Sequence, residues 1–270
     1  MTKKDFLLQS IIQAYINSSE PIGSTALKDM YNITYSPATI RGYFKKLGEE
    51  GFLEQEHISS GRTPTIEALK NYWFDKLDFK LDQIDYQMVE YEAKKLGLTV
   101  FIKQQLNDTL QRVLNIENLY MILQFDTFTI TIKYNAPLYR FLDDMIGIEP
   151  TKIMQISKDV GASQLYDELS KVISNSAKKI VNIKEFLKIA IDTNLDDLTI
   201  NKFLDGQILN NISDGIYFED ILPSGFIGIN HSTKVIDTNI NIFVVGHLSK
   251  DYEYFYKRIA VWVKRLKKKR

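Results

Sequence analysis

An α+β chain, with a small helical module at the N-terminus and a larger antiparallel-sheet module after it, is predicted by three observations. A Ser36-Pro37 pair opens a helical pattern directly after a shorter helix and a tight break. Alternating apolar stretches begin at residue 118 and return after 215. Between them lies a polar stretch with helical spacing, from about 164 to 215, so strands and helices are grouped rather than alternating as βαβ units.

The first helix is predicted over residues 1–16. Thr2 and Asp5 form a capping-box pair, and Leu7, Leu8, Ile11, Ile12, Tyr15 and Ile16 recur at three-to-four spacing. Gln9, Ser10 and Gln13 interrupt what could pass for a secretory signal. Pro21-Ile22-Gly23-Ser24 then breaks the chain and caps a helix over 25–31, and Asn32 to Tyr35 supply a turn. From Ser36, a step of ~100° per residue sets Ile40, Phe44 and Leu47 inward and Ala38, Arg41, Gly42, Lys45 and Lys46 outward. Gly51 stops this helix, residues 52–55 and the stretch near Ile58 can pair as strands, and Ser59-Ser60-Gly61 makes the tip that Arg62 leaves. The pattern is a helix-turn-helix followed by a wing. Its DNA-facing set is Ser36, Thr39, Arg41, Gly42, Lys45 and Lys46 on the reading helix, with Gly61 and Arg62 on the wing. The plainer alternative is three ordinary helices with a solvated basic face. Glu49, Glu50, Glu54 and Glu56 favour that alternative unless they point away from any DNA.

After Thr65, a helix is predicted from Ile66, Leu69, Tyr72, Trp73 and Leu77, then two more over 86–95 and 100–115, the second carrying Leu106, Leu110 and Val113. Residues 119–125 and 127–133 alternate around Asp126-Thr127 as a strand pair. A further strand is expected over 152–157 and a helix over 162–173. Helical stripes containing Val172, Ile180, Ile183, Phe186, Leu187 and Ile191 follow, to about 211. Strands at 216–218, 226–229 and 240–245 precede a last helix over 252–267.

Four blocks of this sequence, Glu20-Pro21-Ile22-Gly23-Ser24, Ser36 to Arg41, Gly51-Phe52-Leu53 and Ser60 to Thr65, resemble the heat-inducible transcription repressors of the HrcA type in order and spacing. Gly246-His247-Leu248-Ser249-Lys250-Asp251-Tyr252 is similar to that family's closing segment. The resemblance implies a recognition helix over 36–47, Arg41 as a base reader and Gly61-Arg62 as the wing tip. It further implies a GAF-like sheet domain, a helical insertion that helps hold a dimer, an inverted-repeat operator in double-stranded DNA, release on heat stress and reactivation by a chaperonin. The sequence departs from the family pattern after the arginine, where Gly42-Tyr43 stand in place of Asn-Asp, and after the Pro-Thr pair, where Glu67-Ala68-Leu69 stand near an expected Gly-Tyr-Arg.

The 270 residues contain 34 basic and 34 acidic side chains and no cysteine. Disulfides, thiolate metal sites and cysteine nucleophiles are therefore excluded from this sequence. No apolar run approaches the ~20 residues of a membrane span, and a cytoplasmic protein with no integral membrane segment is expected. The last twenty residues are strongly basic, from Lys257 to Arg270. They read either as an extra phosphate or anionic-membrane contact, or as cations ending a helix and a solvated terminus. The three histidines, His57, His231 and His247, have no partners at metal-ligand spacing, and the glycines form neither a dinucleotide fingerprint nor a Walker loop. Asp143-Asp144 and Asp196-Asp197 read as solvated or capping carboxylates. No cofactor, metal site or enzymatic activity is expected.

The expected organisation is a winged-helix DNA-binding domain over 1–75 and a GAF-like domain over 76–270, carrying a helical dimerisation insertion over 164–215. The expected function is a homodimeric repressor of chaperone genes. A small-molecule-responsive repressor and a winged-helix protein–protein module are the alternatives.

Overall fold

A computed structural model describes residues 2–55, 57, 60–77, 81–105, 108–174, 178–210, 212–236 and 238–261. The chain starts with α1 (Lys3–Ser18), whose expected capping box is present. Thr2 Oγ1 accepts from the Asp5 amide at 3.2 Å, and the Asp5 carboxylate accepts from the Thr2 amide at 2.9 Å. Helices α2 (Ser24–Tyr31) and α3 (Pro37–Glu49) follow, then a short ribbon of β1 (Leu53–Glu54) and β2 (Thr63–Pro64). Leu7, Ile11, Leu27, Ile40, Phe44 and Leu47 close over one another as the core of this module. The returning strand is residues 63–64, antiparallel to 53–54, and not the stretch near Ile58. Ile58, Ser59 and Glu56 lie outside the described residues.

Thr65 caps α4 (Ile66–Lys76) by accepting from the Ala68 amide at 3.2 Å. Downstream come α5 (Tyr86–Leu96), β3 (Thr99–Gln104), β4 (Leu110–Ile116), β5 (Tyr120–Phe125), β6 (Thr129–Lys133), α6 (Ala136–Asp143), α7 (Pro150–Asp159) and α8 (Ser163–Ser174). They are followed by β7 (Lys178–Val181), α9 (Ile183–Asp192), α10 (Asp197–Leu204), a 3₁₀ turn (Gln207–Asn210), β8 (Gly215–Tyr217), β9 (Phe226–Val235), β10 (Thr238–His247) and α11 (Tyr252–Ile259).

Five strands form an antiparallel sheet in the order β7-β3-β10-β9-β8. One face carries Val100, Ile102, Ile242 and Val244 beneath α5 and α11, and the same core takes in Ile12 and Ile16 of α1 and Ala68, Leu69 and Trp73 of α4. Trp73 Nε1 donates to the Leu248 carbonyl at 2.7 Å, and its ring meets Tyr252 edge-on at 5.2 Å. The other face packs Phe101 and Phe243 against Phe186 of α9 and Phe203 of α10. A second sheet, β4-β5-β6, builds its own core with α6, α7 and α8.

Further expectations change. Residues 100–104 and 110–115 are not one helix but belong to two strands in different sheets, with Leu106 outside the described residues, because β3 is sandwiched between β7 and β10 and buried on both faces from Thr99 to Lys103. A strand buried on both sides has no alternation to display. Residues 152–157 are helical, since Pro150 opens α7 and Ile153 and Ser157 bury one turn apart. The stretch 164–215 is divided. Its α8 belongs to the core of the three-stranded unit, whereas β7 is an edge strand of the large sheet and α9 and α10 cover that sheet's aromatic face. Ile180, read onto a helical stripe, thus sits in a strand. The last helix ends at Ile259, and residues 262–270 with most of the basic tail lie outside the described residues.

Candidate nucleic-acid interface

Helix α3 starts where the sequence places it. Ser36 Oγ accepts from the Thr39 amide at 3.1 Å and lies 2.9 Å from Thr39 Oγ1, with Pro37 at the first helical position. Ile40, Phe44 and Leu47 are buried, and Thr39, Arg41, Gly42, Lys45 and Lys46 are exposed. The hydroxyls of Ser36 and Thr39 are occupied with each other and with the cap, so between them one O–H remains for an outside acceptor.

Arg41 reaches back across the module, and its Nη1 donates to Ser24 Oγ at 3.3 Å. This corrects the role expected of Ser24. Gly23 is the N-cap of α2 and offers no side chain, while Ser24 is the first helical residue and positions the arginine. Arg41, Arg62 and Gly61 line one depression together with Ser24 and Thr25 at the start of α2. An uncapped helix start beside two guanidinium groups suits an anion, a backbone phosphate above all. The sequence reading missed Ser24 and Thr25. Their signal was the glycine at position 23, which leaves the following helix without a capping side chain.

Gly61 and Arg62 lie on the loop side of the ribbon's last pair, Glu54 with Thr63, just before β2. Ile22 and Arg62 exchange two backbone hydrogen bonds, each 2.9 Å, which ties the ribbon to the segment before α2. A methyl group at Gly61 would come within 2.6 Å of the Pro21 and Ile22 backbone, so only glycine allows that approach. The Ser60 amide donates to the His57 carbonyl at 2.9 Å, and Ser59 of the expected tip lies outside the described residues. His57 is exposed.

Lys45 and Lys46 lie further along α3. Lys45 Nζ is 3.9 Å from Glu49 Oε1, and Lys46 Nζ stands 5.9 Å from the Tyr43 ring centroid. Glu50 is turned toward α1, where Lys4 holds it at 2.7 Å. Glu50 therefore points away from the outer face of α3, whereas Glu49 shares the side of Lys45. Gly42 has open space above it, for a methyl group there would meet nothing within 4 Å. Internal packing gives no reason for a glycine at this helical position.

The remaining candidates have structural surroundings. His231 is buried on β9 against Tyr256, with its pKa lowered to about 4 by burial. His247 Nδ1 accepts from the Ser249 amide at 3.1 Å, and burial with the nearby Lys250 charge lowers its pKa. Asp196 caps α10, and its hydrogen bonds from Thr199 lower its pKa. Among the described residues no group of three or more histidine or acidic side chains could hold a metal ion, and no helix is long and apolar enough to cross a membrane.

Comparison with known proteins shows what the chain resembles. The family described as HrcA C-terminal domain matches residues 73–262. A Helicobacter pylori protein (strain J99) named heat-inducible transcription repressor HrcA is 29% identical over 260 residues, covering 96% of this chain and 95% of its own. A protein of the same name from Clostridium acetobutylicum is 25% identical over 228 residues, 81% of this chain and 62% of its own. A crystal structure titled only as a hypothetical protein aligns over 96% of both chains at 20% identity and a TM-score of 0.48. With its matched span running from α4 through α11, this chain belongs to the HrcA family.

Proposed function

We propose that this protein is a DNA-binding, heat-inducible transcription repressor, that α1 to β2 form a winged helix-turn-helix, and that α3 is its reading helix. The observation that carries the proposal is α3 itself. It is capped at Ser36, seated on the module core by Ile40, Phe44 and Leu47, and presents Arg41, Gly42, Lys45 and Lys46 outward beside the anion-suited depression at the start of α2. The names of its relatives support the same reading.

The five-stranded sheet with α5 and α11 on one face serves as a GAF-like domain in this reading. The active species is a homodimer on an inverted-repeat operator. Linking two reading helices raises overall affinity by ~10²–10⁴ without any new kind of contact. The exposed stripe of Ile183, Leu187 and Ile191 on α9, continued by Leu198 on α10, supports a subunit contact within the expected 164–215 stretch. Chaperonin-assisted recovery after heating follows from the family resemblance, and the protein acts in the cytoplasm without catalysing a reaction.

Selection of bound fragments from random and genomic DNA tests the proposal. Enrichment of one inverted-repeat sequence is the expected result. A pool that shows no sequence preference would leave the module as a protein-interaction unit.

A further inference from the structure

Lys103 is the next-to-last residue of β3, and at 8% exposure it is a lysine taken almost wholly out of water. Such groups are normally paired with a carboxylate. Here, among the described residues, the ammonium makes no ion pair, and the hydrogen bond it has goes to the side-chain oxygen of Asn210, a neutral partner. A second cation, Lys178, stands opposite it in the β3–β7 register and acts on it. Burial and that neighbour lower its pKa to about 8.

The lysine lines a cavity at the junction of the two sheets. Asn241, opposite Lys103 on β10, Gln105 and Asn210 supply amides on the large-sheet side, and Thr151 and Glu149 supply the wall from the start of α7. Gln105 and Asn241 are already hydrogen-bonded to each other, which fixes the orientation of both amides. A buried cation without a counter-ion of its own, facing fixed amides, is arranged for a small anion, and the acidic side chain of the wall, Glu149, has its own cation in Lys152 at 3.8 Å. The cavity suits an organic one, because Ile173, Leu209 and Ile212 supply an apolar surface for a carbon skeleton.

We propose that this cavity is an effector site for a small carboxylate, whose carboxyl group pairs with the Lys103 ammonium while its body spans the large sheet and the three-stranded unit. The cavity shares no residue with the DNA-facing depression, so the proposal stands independently of the DNA-binding reading. A ligand bridging the two units stabilises the arrangement it binds and weakens any other.

The test is calorimetric titration and thermal melting of the full chain with acetate, succinate, L-glutamate and inorganic phosphate as separate probes. At least one of the organic carboxylates is expected to bind and raise the melting temperature, with affinity falling as pH rises through about 8 because the lysine loses its proton there. Lys103→Met is expected to weaken that binding by about tenfold or more. Asn210→Asp, which gives the lysine an internal counter-ion and keeps the side-chain shape, is expected to block it too and covers the case in which the methionine variant does not fold. Binding that is equal in both variants, binding by phosphate alone, or no binding of any carboxylate at millimolar concentration would overturn the proposal.

Discussion

Arg41 and Lys46 sit on the same exposed side of α3 but are held differently, and the difference predicts different losses. Arg41 is tethered to Ser24 and presents its remaining donors in a set direction, whereas Lys46 is a cation near a tyrosine ring with no such tether. Arg41→Ala is expected to lower affinity for the specific operator by ~1–3 kcal/mol and to leave binding to scrambled duplex less affected. Lys46→Ala is expected to weaken all sequences alike and reduce the salt slope by about one unit. Titrations of both variants on specific and scrambled DNA at several salt concentrations check this, and equal losses for Arg41→Ala would remove it as a base reader. Gly42 yields an opposed pair of effects. Alanine there fits without contact, so Gly42→Ala is expected to stabilise the free protein by up to ~1 kcal/mol. If the glycine serves close approach to DNA, the same variant binds operator less tightly, which melting curves and binding curves on one preparation would show. His231 carries a pH dependence of its own. Its ring titrates near 4 when buried and near 6.5 when unfolded. Above 6.5 both states are neutral, and as pH falls toward 4 the unfolded chain alone gains the proton. Stability is therefore lost over that interval, by up to about 3 kcal/mol, and His231→Gln should flatten the slope in denaturant melts.

Elements whose ends are written locally are legible in the sequence itself. Thr2 with Asp5, Ser36 with Pro37, and Thr65 each start a helix with their own side chains, and the inward stripe of α3 is as its spacing predicts. Elements defined by distant partners are not legible in this way. The pairing of β3 joins residues 99–104 to 240–245, and its double-sided burial erases the alternation that marks an exposed-edge strand. The short run 152–157, with Ile153, Met154 and Ile156, passes for a strand, yet Pro150 and the core beneath Ile153 make it helical. At the site, Arg41 and Gly42 could be placed on a face from spacing alone. The position of Arg62 could not, because it depends on a bridge to Ile22, far earlier in the chain. The divided character of 164–215 also decides how a dimer can be tested. Deleting the stretch would remove β7 and the Phe186 and Phe203 rings, and the large sheet would lose an edge and a face. Leu187→Glu with Ile191→Glu leaves that core untouched, since Ile191 is 74% exposed and Leu187 faces outward beside it. Sedimentation at micromolar concentration is expected to find monomers of this variant, and an unchanged dimer would place the contact elsewhere.

The molecule as a whole joins its reading module to its sheet domain through shared packing. On the proposed dimer reading, operator occupancy requires two intact reading heads, so any loss of dimer or of folded sheet domain is felt as weaker repression. A brief heat pulse is expected to lower operator binding, and recovery on cooling is expected to be faster with chaperonin and ATP than without. Full occupancy well above the host's growth temperature, or equal recovery unaided, would transfer control from heat to a ligand.

The hydrogen bond from Trp73 to the Leu248 carbonyl, with Ile12, Ile16, Ala68 and Leu69 in the same core as the large sheet, leaves no place at which the DNA-binding head can be cut free. A fragment ending after α4 would turn the indole out to solvent and uncover the Ile12 and Ile16 edge of α1. Truncation at this point therefore should give an aggregating peptide and not a constitutive repressor, and scanning calorimetry of the intact chain should show the head and the sheet domain melting in one endotherm. Trp73→Ala, which removes a buried ring at a cost of ~3–5 kcal/mol, should shift that single peak downward without splitting it. On the proposed reading the thermometer and the DNA reader are then one cooperative unit, and a repressor of this build switches off by losing its shape rather than by moving a hinge.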